Sequence, residues 1–303
     1  MGNLPSAQLV MSIYSWISML FYVYLVCKLL QWRRKLPEFN SSYYTLFLLQ
    51  FVADFYSFLT VEFIMRPRKY NYFNLYSDRM NGLALFSSCN VVIVRGILCS
   101  GHIVIALNRF TVFYFPVKQE KIWRNSVVFT SVISLWLLSI MALLPMPIIY
   151  YDTACFFFTE SGILQMSGGV IDRYSAIQGV IVAFATIVIC SICYICSYIK
   201  ARKSDYKHRM VDRRLLVCAL ASSLPFCIEF VRSLLILFSF EQKNNLYRSM
   251  TEFWHFETEA IATSSVWLQL ILNKSVRKLI FKRQRKRTNS ITVSNIAVKR
   301  VQF

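Results

Sequence analysis

The chain has 303 residues, of which 56% are hydrophobic and 16% charged, with a mean hydropathy of +0.46. Soluble domains carry about 45–50% apolar and about 25% charged residues, so one globular core cannot hide this excess, and with only 8 Gly and 7 Pro the chain is neither collagen-like nor disordered. The net charge of +19 does not mark a nucleic-acid binder: 10 of the 34 Lys and Arg follow Asn273 and seven more lie between Lys200 and Arg214, while the long apolar runs are nearly free of them.

A membrane helix needs about 20 mostly apolar residues. Seven such runs occur: Leu9–Leu30, Tyr44–Met65, Gly82–Leu107, Val127–Tyr150, Ile177–Ile199, Leu215–Phe240 and Phe253–Leu272. The expected fold class is therefore all-α integral membrane, a seven-transmembrane helix bundle. The connecting segments on the side of the N-terminus hold 7 Lys and Arg and those on the other side hold 24. This bias predicts a multi-pass protein of the cell membrane with its N-terminus extracellular and its C-terminus cytoplasmic. The segment 66–81 dissents, with Arg66, Arg68, Lys69 and Arg79 on the outer side. The first run is too long for a cleavable h-region and reads as a signal anchor. The sequons at Asn40 and Asn273 both fall on the cytoplasmic side and are expected to carry no glycan.

Ionisable groups within spans are costly and mark function by default. Asp54 lies about ten residues into the second span, at ~15 Å depth; it reads as an ion or protonation-switch site, or as a helix-packing hydrogen bond. In the third span Arg95, His102 and Arg109 are spaced by seven, on one helical face. Arg95 needs a counter-charge, and Glu62, Glu257 and Glu259 are at suitable height. Together these four are expected to form the polar core of an outward-open ligand pocket, or a structural ion pair. Arg109 closes the stripe at the cytoplasmic boundary.

Cys155, the one cysteine of an outer loop, has Cys89 as its best disulfide candidate. Pro145 and Pro147 should bend the fourth span. Glu229 and Arg232 read as an ion pair along one helix, and Pro225 removes a backbone hydrogen bond and predicts a hinge. After Leu272, Val276, Leu279 and Ile280 share one face of a basic segment, predicting a C-terminal amphipathic interfacial helix. Residues 1–287 form the expected receptor domain. Residues 288–303 form a disordered basic cytoplasmic tail with Thr288, Ser290, Thr292 and Ser294 as phosphorylation candidates. No nucleotide loop, metal-ligand spacing or catalytic triad is present in the pattern, so no enzyme, cofactor or metal site is expected.

Seven spans, an external N-terminus, Asn108-Arg109-Phe110 closing the third span and an interfacial helix after the seventh together resemble the rhodopsin-like G protein-coupled receptors. That family has an acidic residue, Arg and an aromatic there; Asn108 replaces the acid. Asp54 resembles its sodium-binding aspartate, Trp136 its fourth-helix tryptophan and Pro225 its sixth-helix proline. The sixth-helix tryptophan and the seventh-helix Asn-Pro-x-x-Tyr are missing, and Ala84 stands at the usual third-helix cysteine position.

A narrower pattern, Leu107-Asn108-Arg109-Phe110-Thr111, Phe115-Pro116 and Ile122-Trp123, resembles the second-loop signature of nematode serpentine chemoreceptors of the gamma-class (Srg) superfamily, including its class V branch. The resemblance implies chemosensation coupled to a heterotrimeric G protein, with sensory-neuron cilia as the site and Asn108, Arg109 and Phe110 at the coupling surface. The partners expected are an external small-molecule ligand, the G protein and anionic membrane lipid, with no nucleic acid. The alternatives are a seven-span ligand-gated cation channel and a small-solute transporter. The channel's inverted topology is opposed by the charge bias, and the transporter by the lack of internal repeats.

Overall fold

The computed structural model describes residues 5–72, 76–142, 148–149, 155–158, 164–167, 170–202, 216–217, 220–221, 223–239 and 245–281. Its helices are α1 (Ser6–Arg33), α2 (Ser42–Thr60), α3 (Arg66–Lys69), α4 (Asn81–Tyr114), α5 (Gln119–Ile122), α6 (Asn125–Met141), α7 (Val170–Arg202), α8 (Pro225–Ser239), α9 (Asn245–Leu272) and α10 (Lys274–Phe281). Described helices fall on all seven apolar runs. Four segments, Ser6–Arg33, Ser42–Lys69, Asn81–Tyr114 and Arg173–Lys200, are long and apolar enough to cross a membrane.

α4 is the central post. Its apolar stretch is 78% buried against 33% for α1 and for α7, and it packs on α2, α6 and α7. Glycine sets the closest approach: a Cβ on Gly96 would sit 2.6 Å from the Ser139 Cβ of α6. The outward faces of α1, α6 and α7 carry exposed Leu20, Ile17, Leu137, Leu138, Ile181, Phe184 and Ile192. In water such faces would drive aggregation; in hydrocarbon they cost nothing, and the helices satisfy their own backbone groups.

The helical segment that starts with α2 runs past the end of the second apolar run, to Lys69. A π-helical turn, Val61–Met65, links α2 to α3, inserting one residue into the helical repeat. Arg66, Arg68 and Lys69 are therefore helical and buried, not the loop charges that the sequence suggested. The dissenting basic segment largely disappears as a topology signal, because three of its four cations are committed to the interior of the fold.

Other boundaries also differ from expectation. α4 runs on to Tyr114, and α9 begins at Asn245, eight residues before Phe253. The sixth run is broken at a turn at Leu224, with α8 starting at Pro225, where a missing N–H costs nothing at a first helical position. Pro145 and Pro147, the side chain of Leu279 and the tail 288–303 lie outside the described residues.

Strands β1 (Cys155–Phe158) and β2 (Leu164–Ser167) form an antiparallel hairpin with Phe156 opposite Met166. Phe156 turns inward onto Ala84, Leu85 and Cys89, and the Arg68 guanidinium lies 4.9 Å from its ring centroid. Side chains alternate along a strand, so Cys155 faces away. The expected Cys89–Cys155 disulfide is absent: Cys89 is a free, buried thiol and Cys155 is on the exposed side.

At the opposite end, Asn273 stands between α9 and α10. Its Oδ1 accepts the Val276 N–H at 3.4 Å, capping α10, while its Nδ2 donates to Tyr44 Oη and Gln269 Oε1. Val276 is fully buried and Ile280 packs on the main core, whereas Phe281 is exposed.

Candidate functional site

Buried polar groups are arranged in three tiers along the bundle. The first lies at the hairpin end, where the turn after α2 aims Arg66 inward. Arg66 pairs with Glu62 one turn back, and its Nη2 lies 2.9 Å from Glu259 of α9. Glu62 also accepts Ser12 Oγ at 2.7 Å and Trp16 Nε1 at 3.2 Å from α1. Glu62 and Glu259 are thus held by Arg66, and neither is the partner of Arg95.

Arg95 instead turns toward α7 and α8. Its Nε lies 2.6 Å from Glu229 Oε1, and its Nη1 donates to Ser175 O at 2.7 Å and Gln178 Oε1 at 2.6 Å. Glu229 accepts two bonds from Arg232 Nη2, at 2.8 and 2.7 Å, and one from Ser233 Oγ at 2.9 Å. Arg232 Nε then reaches Glu257 Oε2 of α9 at 2.5 Å. The correction to the expected pairing has a simple cause. Position along the apolar runs leaves each of these acids a candidate, and helix rotation decides which one faces Arg95. Glu229 faces it; Glu257 lies one link further along the chain of charges.

The two guanidiniums and two carboxylates of this Arg95 cluster sum to zero charge, as a low-dielectric interior requires. A glycine makes room for it: a Cβ on Gly179 of α7 would lie 2.9 Å from Arg95 Cζ and 2.5 Å from Ser233 Oγ. Arg95 and Glu229 form one wall of a tight cavity among α4, α8 and α9. The rest of its lining includes Leu98, Phe226, Trp254, Thr258 and Ile261. In this conformation the cavity has space for about one water molecule. One polar pair thus stands against apolar and aromatic walls. His102, one turn beyond Leu98, packs edge-on against Phe226 at 4.8 Å, and neither ring nitrogen has a hydrogen-bond partner among the described residues.

The second tier centres on Asp54, which is fully buried. Its carboxylate accepts Tyr22 Oη of α1 at 2.9 Å, Gln50 Nε2 at 2.8 Å and Ser265 Oγ of α9 at 3.3 Å. Three helices therefore meet at one carboxylate. Gly101 of α4 leaves the space that Gln50 occupies, since a Cβ there would overlap the Gln50 amide.

The third tier holds the Asn108-Arg109-Phe110 motif. Arg109 is 2% exposed, so it is folded inward instead of standing at the water boundary. Its Nη2 donates to Asn108 Oδ1 at 3.1 Å, and its guanidinium carbon lies 4.0 Å from the Tyr43 ring centroid. Asn108 Nδ2 donates to Ser42 Oγ at 2.8 Å, and Phe110 stacks on Tyr114 at 4.4 Å. The Trp123 indole donates to Thr111 Oγ1 at 2.5 Å, which ties the α5 segment back to α4.

Gln50, Tyr22, Gly179, Tyr43 and Gln269 were not singled out by the sequence, and Arg66 was read there only as a loop charge. For Glu229 a signal existed. An acid within an apolar run needs every nearby cation considered as its partner, not only the one three residues away.

A helical bundle that is apolar outside and carries buried ion pairs between helices is a polytopic membrane protein. Residues 11–286 match the family described as the serpentine type 7TM GPCR chemoreceptor Srv. The chain belongs to that family, which is a family of chemoreceptors. No curated protein matches the chain.

Proposed function

We propose that this chain is a seven-span chemosensory receptor without catalytic activity, placed with the hairpin end outside the cell and α10 in the cytoplasm. The sequence places 24 basic residues on the α10 side and 7 on the other, and the excess on the α10 side remains when the buried Arg66, Arg68, Lys69 and Arg109 are left out, which supports that orientation. An external small molecule binds among α4, α8 and α9, and a heterotrimeric G protein is engaged at Arg109. The basic loops and α10 rest on anionic inner-leaflet lipid, at about 1 kcal/mol per charge; nucleic acid has no part. The Phe115-Pro116 and Ile122-Trp123 pattern supports membership of the gamma-class (Srg) superfamily and its class V branch, and with it a place in sensory-neuron cilia.

The observation that carries this reading is the Arg95–Glu229 pair. It forms a cavity wall and also ties α4 to α8, just beyond the break at Leu224. A ligand that binds better when this tie is open shifts the population toward a rearranged bundle.

The test is a ligand screen with a G-protein readout, repeated on Arg109→Ala. The variant should lose G-protein activation while ligand affinity stays within about tenfold. Ligand-driven currents or uptake that persist without any G protein would instead establish the channel or transporter.

A further inference from the structure

Tyr43 and Gln269 have no role in the proposed function so far, and both touch the motif arginine's surroundings. The Tyr43 ring, on α2, covers the Arg109 guanidinium at 4.0 Å. A cation over an aromatic face is attracted by the ring's quadrupole, most strongly where water is excluded, and here Tyr43 is 3% and Arg109 2% exposed. The Tyr43 hydroxyl accepts a hydrogen bond from Gln269 Nε2 of α9. Gln269 is in turn fixed by Asn273, whose Nδ2 donates to Gln269 Oε1 at 2.9 Å and to Tyr44 Oη at 3.0 Å. The neutral amide of Asn108 bonds Arg109 at 3.1 Å, but it lacks the charge that a carboxylate would add.

We propose that Tyr43 and Gln269 form a latch that holds Arg109 in the resting state, with α9 as the element that releases it. The ring holds the cation and the amide of α9 holds the ring. α9 also carries Trp254, Thr258 and Ile261 of the cavity lining. Thr258 and Gln269 are eleven residues apart, about 16 Å along one continuous helix. A ligand that shifts α9 at the cavity therefore moves the Gln269 amide and withdraws support from the Tyr43 ring. The G-protein part of this proposal rests on the receptor reading; the latch itself is a statement about contacts and is measurable without a G protein.

The experiment uses the full chain in lipid nanodiscs, with no ligand. Arginine modification by phenylglyoxal is followed at Arg109 by mass spectrometry, and ligand-independent G-protein activation is measured in cells at matched surface expression. Tyr43→Phe keeps the ring and loses the hydroxyl; Gln269→Leu loses the amide; Tyr43→Leu loses everything. Expected modification rates rise in the order parent, then Tyr43→Phe and Gln269→Leu together, then Tyr43→Leu, the last by about fivefold or more. The double variant Tyr43→Phe with Gln269→Leu should match either single one, because both remove the same bond. Equal Arg109 reactivity in parent and Tyr43→Leu overturns the latch. Fully additive effects of Tyr43→Phe and Gln269→Leu overturn it too, since general loosening of the bundle would behave that way. Loss of protection with unchanged basal signalling keeps the latch and removes G-protein coupling from the receptor reading.

Discussion

Replacing Glu229 with glutamine removes the carboxylate shared by Arg95 and Arg232. The parent cluster sums to zero; the variant leaves two guanidiniums against Glu257 alone, one unbalanced positive charge at residues that are 3–6% exposed. Each lost attraction is about 4 kcal/mol at a separation of about 4 Å and an effective dielectric constant of about 20. Relief of the Glu229–Glu257 repulsion and of the carboxylate's own desolvation offsets part of that. Removing one partner of a buried pair typically costs about 3–5 kcal/mol, and that range is expected here. In purified receptor it should appear as a fall in apparent melting temperature of about 6–20 °C. The decisive comparison is the double variant Glu229→Gln with Arg95→Gln, which restores a neutral interior around the remaining Arg232–Glu257 pair. It should recover at least about half of the loss, a coupling of about 1.5 kcal/mol or more. If the double variant is destabilised by the full sum of the two single ones, charge balance is not what holds α4, α8 and α9 together.

Three further outcomes are expected. Gly179→Ala places a methyl 2.5 Å from Ser233 Oγ and 2.9 Å from Arg95 Cζ, so it should cost about 1–3 kcal/mol in thermal unfolding, and Ser233→Ala should return part of it; an unchanged melting temperature would contradict the packing described. Asp54→Ala should impair ligand-evoked signalling more than surface expression, and Gly101→Ala should produce a milder form of the same defect by pushing Gln50 off the carboxylate; equal losses of signal and expression for both would reduce the Asp54 site to a packing contact. Asn40→Gln should leave electrophoretic mobility unchanged before and after glycosidase treatment, because the proposed orientation keeps Asn40 in the cytoplasm, and Asn273 is 2% exposed with its amide already bonded. A mobility shift abolished by Asn40→Gln would reverse the topology.

The apolar runs were legible because about 20 consecutive apolar residues have few other uses, and Asp54 was legible from depth alone. Partner choice was not. By position along their runs Glu62, Glu229, Glu257 and Glu259 were all candidates for Arg95, and the sequence carries no measure of how far each helix is turned about its axis. Glu229 was hidden further by Arg232, three residues on, which made it look already satisfied. Arg66 was hidden by the π-helical turn, whose extra residue leaves no mark in composition. The Cys89–Cys155 expectation failed for a similar reason: proximity along the bundle was readable, but the alternation that turns Phe156 inward and Cys155 outward is set by the hairpin register.

The turn at Val61–Met65 makes the second helix a two-part rod with independent halves. Each residue of an α-helix advances the side-chain direction by about 100°, so straightening this turn to regular α-helix with every residue kept would swing Arg66 about a quarter-turn away from Glu259. Everything below Thr60, including Asp54 and Tyr43, would keep its direction. A π-to-α rearrangement there is thus a rotary adjustment of the hairpin end alone: it would re-aim three cations while the interior contacts on which Arg109 depends stay in register.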